Sequence, residues 1–240
     1  MKPECELSVI IPFYNEEACV AGVLEEMVPA LEKEGVDYEL ILVDNGSRDR
    51  TGEILRGICE RKPQLKLIQL DHNQGYGGGI LAGLAAARGR ILGFTCGDGQ
   101  ISPGDLLRLY RVLAGGQVQF CKAKRLDRRE GPVRQFLSFG YHLIVGMLFR
   151  VHITDVNGYP VLMAREVYQR MSLRKENWII NVEILLAARR LSVPMAEVDV
   201  WHRDRFGGRS HVGWLTPVTF LLELVGFAWE VYRARQKSGR

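Results

Sequence analysis

Apolar residues along this chain fall into two alternating patterns, short β-branched runs and longer stretches with helical spacing. Leu7 to Pro12 is the first run and reads as a buried strand. Behind it Asn15 is positioned to cap a helix, Glu16 and Glu17 occupy its positive first turn, and Val20, Val23, Leu24, Met27 and Leu31 share one face. Tyr38 to Val43 is a second strand, a helix is expected from about Arg50 to Glu60, and Leu65 to Leu70 is a third strand. A small-residue helix over Ile80 to Arg88 leads to strand Ile91 to Cys96. Helix Leu106 to Ala114, which Ser102 can cap and Pro103 can open, then leads to strand Val118 to Lys124. This β-α-β-α-β order predicts an α/β fold with a mostly parallel central sheet flanked by helices.

Polar residues gather where the strands stop. One strand runs into Asp44-Asn45-Gly46-Ser47, another into Gly97-Asp98-Gly99-Gln100, and a third into Arg125. In an open α/β sheet that edge is where ligands bind, and an oxygen-bearing pair flanked by glycines leaves room for a metal ion and a phosphate. Gly-Asp-Gly alone is also ordinary turn chemistry, so the coincidence of three strand ends carries the reading. The run His72-Asn73-Gln74-Gly75-Tyr76-Gly77-Gly78-Gly79 fails the dinucleotide fingerprint because Ile80 stands where the last glycine belongs. Its glycines fit either a backbone approaching a phosphate or a helix packed closely on the sheet.

Composition narrows the partners. The 240 residues are 47% apolar and 25% charged with a formal charge of +4, which suits phosphate ligands or an anionic membrane face. No basic stripe interleaved with aromatics is present, so no nucleic-acid partner is expected. Five cysteines in odd number, without a C-x-x-C pair, read as reduced thiols, and the start MKPECELSVIIPF lacks a signal peptide's length and cleavage site. Both point to the cytosol. The histidines have no metal-ligand spacing.

The segments SVIIPFYNEE, ILVDNGSRDRT, HNQGYGGG and CGDGQISPGDL resemble, in this order, the signature of family 2 glycosyltransferases with the GT-A nucleotide-sugar-binding, Rossmann-like fold. DVNG (Asp155 to Gly158), NVEILLAARRLSVPMAEVDV and DRFGGRS (Asp204 to Ser210) narrow the resemblance to dolichyl- or polyprenyl-phosphate sugar transferases, similar to dolichol-phosphate mannosyltransferase. The resemblance implies that Pro12, Tyr14, Glu16 and Asp44 hold the nucleotide base and ribose of a GDP- or UDP-sugar. It implies further that Asp98 and Gln100 bind Mg2+ or Mn2+, and that Arg205 contacts the donor phosphates. Arg125, Arg134 and Ser138 fall at the acceptor-phosphate positions, and Arg134 and Ser138 share a face if that segment is helical. Asp155 is a candidate catalytic residue, with the orienting of a neighbouring arginine its favoured role. Cys96 stands where the family has the first aspartate of its D-x-D motif and Asn45 where it has the second aspartate of D-D-G-S, so weaker metal affinity is expected.

Two apolar segments bear on the acceptor. Phe136 to Val151 reads as a core helix or one lying in a membrane interface. From Thr216 to about Arg235 a helix carries one polar stripe, Thr216, Glu223 and Glu230, on an otherwise apolar surface, followed by the basic residues Arg233, Arg235, Lys237 and Arg240. The expected organisation is therefore a glycosyltransferase domain over residues 1–211 and an amphipathic helix with a basic tail over 212–240. The expected activity is inverting transfer of a sugar to a polyprenyl phosphate by a cytoplasmic enzyme held peripherally at the cytoplasmic face of the membrane. A soluble or protein acceptor, or a degenerate nucleotide-sugar-binding module, are the alternatives.

Overall fold

The alternating runs become a sheet covered on both faces in the computed structural model, which describes residues 3–126, 140, 144–146, 149, 155–208 and 216–238. The first half contains β1 (Cys5–Phe13), α1 (Val20–Glu34), β2 (Tyr38–Asp44), α2 (Thr51–Cys59), β3 (Leu65–Gln69), α3 (Gly75–Ala86) and β4 (Gly89–Phe94). The second contains α4 (Pro103–Ala114), β5 (Phe120–Leu126), β6 (Val161–Ala164), α5 (Arg165–Arg170), α6 (Ile180–Arg190), β7 (Met195–Trp201) and α7 (Thr216–Ser238). These strands form one seven-stranded sheet in the order β3-β2-β1-β4-β6-β5-β7. β1 runs parallel to β2 and β4, β2 to β3, and β5 to β7; only β6 is antiparallel to its neighbours β4 and β5. The mostly parallel sheet is as expected, and its reversal at β6 brings the carboxyl end of β5 beside those of β1 and β4.

Both faces of the central strands are buried, so the apolar runs are continuous rather than alternating. Within β1, Val9 and Ile11 join α1 and α4 in one core, while Ile10 joins α3 and α6 in the other. Val145 and Phe149, the buried described residues of the Phe136 to Val151 segment, belong to the second core, where Phe149 packs on Phe227 of α7.

Two helix starts differ from the sequence expectation. Asn15 does not cap α1, which begins only at Val20 with no acidic residue in its first turn. Asn15 instead adopts φ 51°, receives a hydrogen bond from the Arg48 N–H (2.8 Å) and donates its own N–H to Ser47 Oγ (3.0 Å), tying the β1–α1 loop to the β2–α2 loop. The helix expected from Ile80 begins at Gly75. Its glycines let protein backbone approach closely: a Cβ on Gly77 would overlap the Lys175 carbonyl, and Gly78 N–H donates to Glu176 O at 2.9 Å. Ser102 caps α4 as expected, accepting from Asp105 N–H at 3.1 Å, with Pro103 opening the helix.

Candidate functional site

The carboxyl edge of β1, β2 and β4 collects the predicted donor-side residues. Pro12 and Phe13 end β1, Asp44 ends β2, and Asp98 and Gln100 lie in the loop after β4, which stops at Phe94, two residues short of the expected end. Asp44 is buried, accepts Ser47 N–H at 3.0 Å, and presses its other oxygen on Gly52 in the first turn of α2, where any Cβ would collide with it. Glu16 is buried too; its N–H donates to Thr51 Oγ1 at 2.8 Å. Tyr14 is half-buried on the same loop.

Arg205 joins this cluster from the other end of the chain. Its guanidinium donates to Glu16 and, at 3.4 Å, to Asp98. The approach is built by pairing the segment after β7 with the loop after β4. Arg203 N–H donates to Gln100 O at 2.9 Å, Phe206 N–H to Asp98 O at 3.2 Å, and Gln100 Nε2 to Arg203 O at 3.3 Å. Gly99 is indispensable to that pairing, since it sits at φ +76° with the Phe206 ring only 2.5 Å from where a Cβ would stand.

Burial raises the Asp98 pKa above the usual carboxylate value, with Glu16 adding to the rise while the Gln100 N–H and Arg205 oppose it. Burial likewise pushes the Cys96 thiol up, with the Asp98 charge second, which favours the protonated thiol. Where an aspartate would offer a third hard ligand, Cys96 thus offers a neutral thiol. Among the described residues no cluster of three or more His, Cys, Asp or Glu is placed to hold an ion unaided. The carboxylate of Asp98 and the amide oxygen of Gln100 remain, a hard donor pair that fits Mg2+ or Mn2+ shared with a diphosphate.

On the acceptor side Arg125 and Asp155 form a bidentate pair, Nε to Oδ2 at 2.8 Å and Nη2 to Oδ1 at 3.0 Å, with both side chains almost fully buried. Arg125 also lies 5.3 Å from the Tyr159 ring centroid. Asp155 thus holds the arginine in one orientation. Arg134 and Ser138 lie outside the described residues.

The contacts of several residues in this region were not legible in the sequence. Asn45 uses both ends of its amide: Nδ2 donates to Gly75 O at 2.8 Å and Oδ1 accepts Gln74 N–H at 3.0 Å. An aspartate cannot make the first bond, so the departure from D-D-G-S matches the glycine-rich start of α3. Tyr76 stacks on Trp178 at 4.1 Å between centroids, and Trp178 meets Phe220 of α7 at 5.4 Å. Aromatics scattered over three elements carry no period or spacing from which such a chain of contacts is readable.

A parallel half-sheet whose carboxyl edge carries Asp44, and at which Glu16 and Asp98 meet an arginine from a distant loop, has the layout of the GT-A fold. The chain belongs to glycosyl transferase family 2, whose sequence model matches residues 8–171. It is 30% identical over 214 residues to the dolichyl-phosphate beta-glucosyltransferase of Dictyostelium discoideum, a stretch covering 81% of this chain and 65% of that protein. The dolichyl-phosphate beta-glucosyltransferase of Drosophila melanogaster is 30% identical over 232 residues, 88% of this chain and 71% of the relative. The chain therefore spans roughly two thirds of the length of such relatives, 65% in the first case. Among solved structures, glucosyl-3-phosphoglycerate synthase from Mycobacterium tuberculosis in complex with Mn2+, uridine-diphosphate and glucosyl-3-phosphoglycerate superposes with a TM-score of 0.69. At 22% identity, over 95% of this chain and 78% of that one, the likeness is one of fold.

Proposed function

We propose that this chain transfers a sugar from a nucleotide diphosphate sugar to a polyprenyl phosphate, with inversion at the anomeric carbon. The observation that carries the donor half is the placing of Arg205 between Glu16 and Asp98 at the sheet's carboxyl edge. A guanidinium already held there can turn its donors to a diphosphate, and the charge it carries offsets the charge that develops on the leaving nucleotide. Pro12, Tyr14, Glu16 and Asp44 hold the base and ribose. Asp98 and Gln100 would hold Mg2+ or Mn2+, which when bound supplies Lewis-acid neutralisation of the diphosphate.

The acceptor half is supported by the relatives, which are dolichyl-phosphate beta-glucosyltransferases, and glucose is accordingly the sugar we propose. Arg125 together with Arg134 and Ser138 grips the acceptor phosphate, and Asp155 orients Arg125 for it. A phosphate monoester is ionised near neutral pH, so positioning rather than proton removal is what the protein supplies. Residues 1–211 form the catalytic domain and 212–240 an appended helix and basic tail that places the enzyme at the cytoplasmic face of a membrane. No helix among the described residues is long and apolar enough to cross one. The test is incubation of UDP- and GDP-sugars with a short polyprenyl phosphate in detergent. Metal-dependent glycolipid that is lost in Asp98→Ala supports the proposal, and absence of product from every donor overturns it.

A further inference from the structure

The two acidic residues of α7 lie on a flank of the helix beside the body of the protein, away from its most exposed apolar positions. Glu223 is half-buried with its Oε2 enclosed, and Glu230, itself 60% exposed, pairs with Lys175 of the segment before α6 at 2.7 Å. Beside them Leu224, Phe227 and Val231 are buried in the core. The opposite side is apolar and open: Leu222 is 70% exposed, Val225 57%, Trp229 55% and Tyr232 53%, with Leu221 at the edge. Leu222, Val225, Trp229 and Tyr232 follow one another at intervals of three and four residues, which makes one continuous stripe along the helix. Val225, Gly226, Ala228, Trp229 and Tyr232 line a shallow groove on it. Gly226 has nothing within 4 Å of a Cβ, so a residue that weakens a helix faces open space that gives it no packing reason in the isolated chain. An outward face this apolar marks a surface that is covered in use.

Charge selects the occupant. After Glu230 the sequence has Arg233, Arg235, Lys237 and Arg240 and no acidic residue. Arg233 lies 5.0 Å from the Trp229 ring centroid, which keeps its cation at the edge of the apolar stripe. An apolar face carrying Trp and Tyr, with a basic cluster at one end and its carboxylates turned away, suits the headgroup region of an anionic bilayer. A second copy would bring an identical uncompensated basic end.

We propose that the stripe Leu221, Leu222, Val225, Trp229 and Tyr232 of α7 seats the chain in the plane of an anionic lipid surface. This deepens the membrane placement proposed above, yet its test needs neither donor nor acceptor, so it stands or falls apart from the transfer assay. The full chain is sedimented with vesicles of phosphatidylcholine alone and with vesicles containing phosphatidylglycerol. The wild type binds the anionic vesicles and binds the neutral ones more weakly. Leu222→Glu/Trp229→Glu, which alters exposed positions only and melts at the wild-type temperature, loses about tenfold or more in partitioning. Brominated acyl chains quench the wild type more than Trp229→Phe. Undiminished binding by the double variant, equal binding to both vesicles, or no binding overturns the proposal. So does a dimer of the lipid-free chain that the double variant dissociates, which would make a second copy the occupant.

Discussion

Arg205 and Asp98 stand 107 residues apart in sequence and meet with Nη1 3.4 Å from Oδ2 in the fold. The contact depends on the pairing of residues 203–206 with 98–100, and it leaves a carboxylate whose ionised form is disfavoured by burial before any ligand arrives.

Asp98→Asn therefore separates stability from activity. The folded pKa of Asp98 is raised, so its ionised form costs stability at neutral pH and the cost fades as pH falls towards and below that pKa. The amide removes the cost and still accepts Gln100 N–H, giving up only the 3.4 Å contact that Oδ2 accepts from Arg205. The expected result is a melting temperature at or above wild type at pH 7, with transfer reduced by about two orders of magnitude or more. A variant within tenfold of wild-type activity would contradict the role given to Asp98.

Cys96→Asp replaces a neutral thiol with a third hard ligand beside Asp98. Two carboxylates in one buried site raise each other's pKa, so the metal-free variant melts lower than wild type. Affinity for Mn2+ in the presence of nucleoside diphosphate, read by calorimetry, rises about tenfold or more with ligand charge. Unchanged affinity would show that the thiol position lies away from the ion.

The fold and its ligand edge were legible in the sequence because parallel strands buried on both faces leave long apolar runs, and their ends stand out as Asp44, Asp98 and Arg125. What was not legible depended on contacts between distant segments. The glycines of α3 serve the backbone of Lys175 to Asn177, and Lys175 also pairs with Glu230 of α7. Helical spacing shows that a polar stripe exists. It does not show which side of the helix meets the body.

Asn45→Asp tests whether that residue braces the start of α3. The carboxylate keeps the bond from Gln74 N–H but points its second oxygen at the Gly75 carbonyl, where Nδ2 now donates at 2.8 Å. Loss of a buried donor costs about 1–3 kcal/mol, a drop of roughly 3–8 °C in melting temperature. A melt superimposable on wild type would show that the brace is dispensable.

At the opposite edge of the sheet, Glu39 accepts from Ser8 Oγ and Arg88 N–H, each at 2.6 Å, and pairs with Lys66. Burial alone would raise its pKa, but the bonds from Lys66, Ser8 and Arg88 together hold it below 4.5. A depressed folded pKa contributes stability that is present above the ordinary carboxylate value and is lost as pH falls through the folded one. Glu39→Gln should lower stability at pH 7 and flatten the loss of stability on acidification below about pH 5. Equal acid slopes in urea titrations of both proteins would contradict this.

The most direct test of the central claim follows radiolabelled glucose from UDP-glucose, offered a polyprenyl phosphate in detergent and a soluble phosphate monoester in the same tube. Label entering the organic phase, in proportion to the polyprenyl phosphate and absent with Asp98→Asn, is the result this account predicts. Label transferred to the soluble monoester, with none in the organic phase, would contradict it.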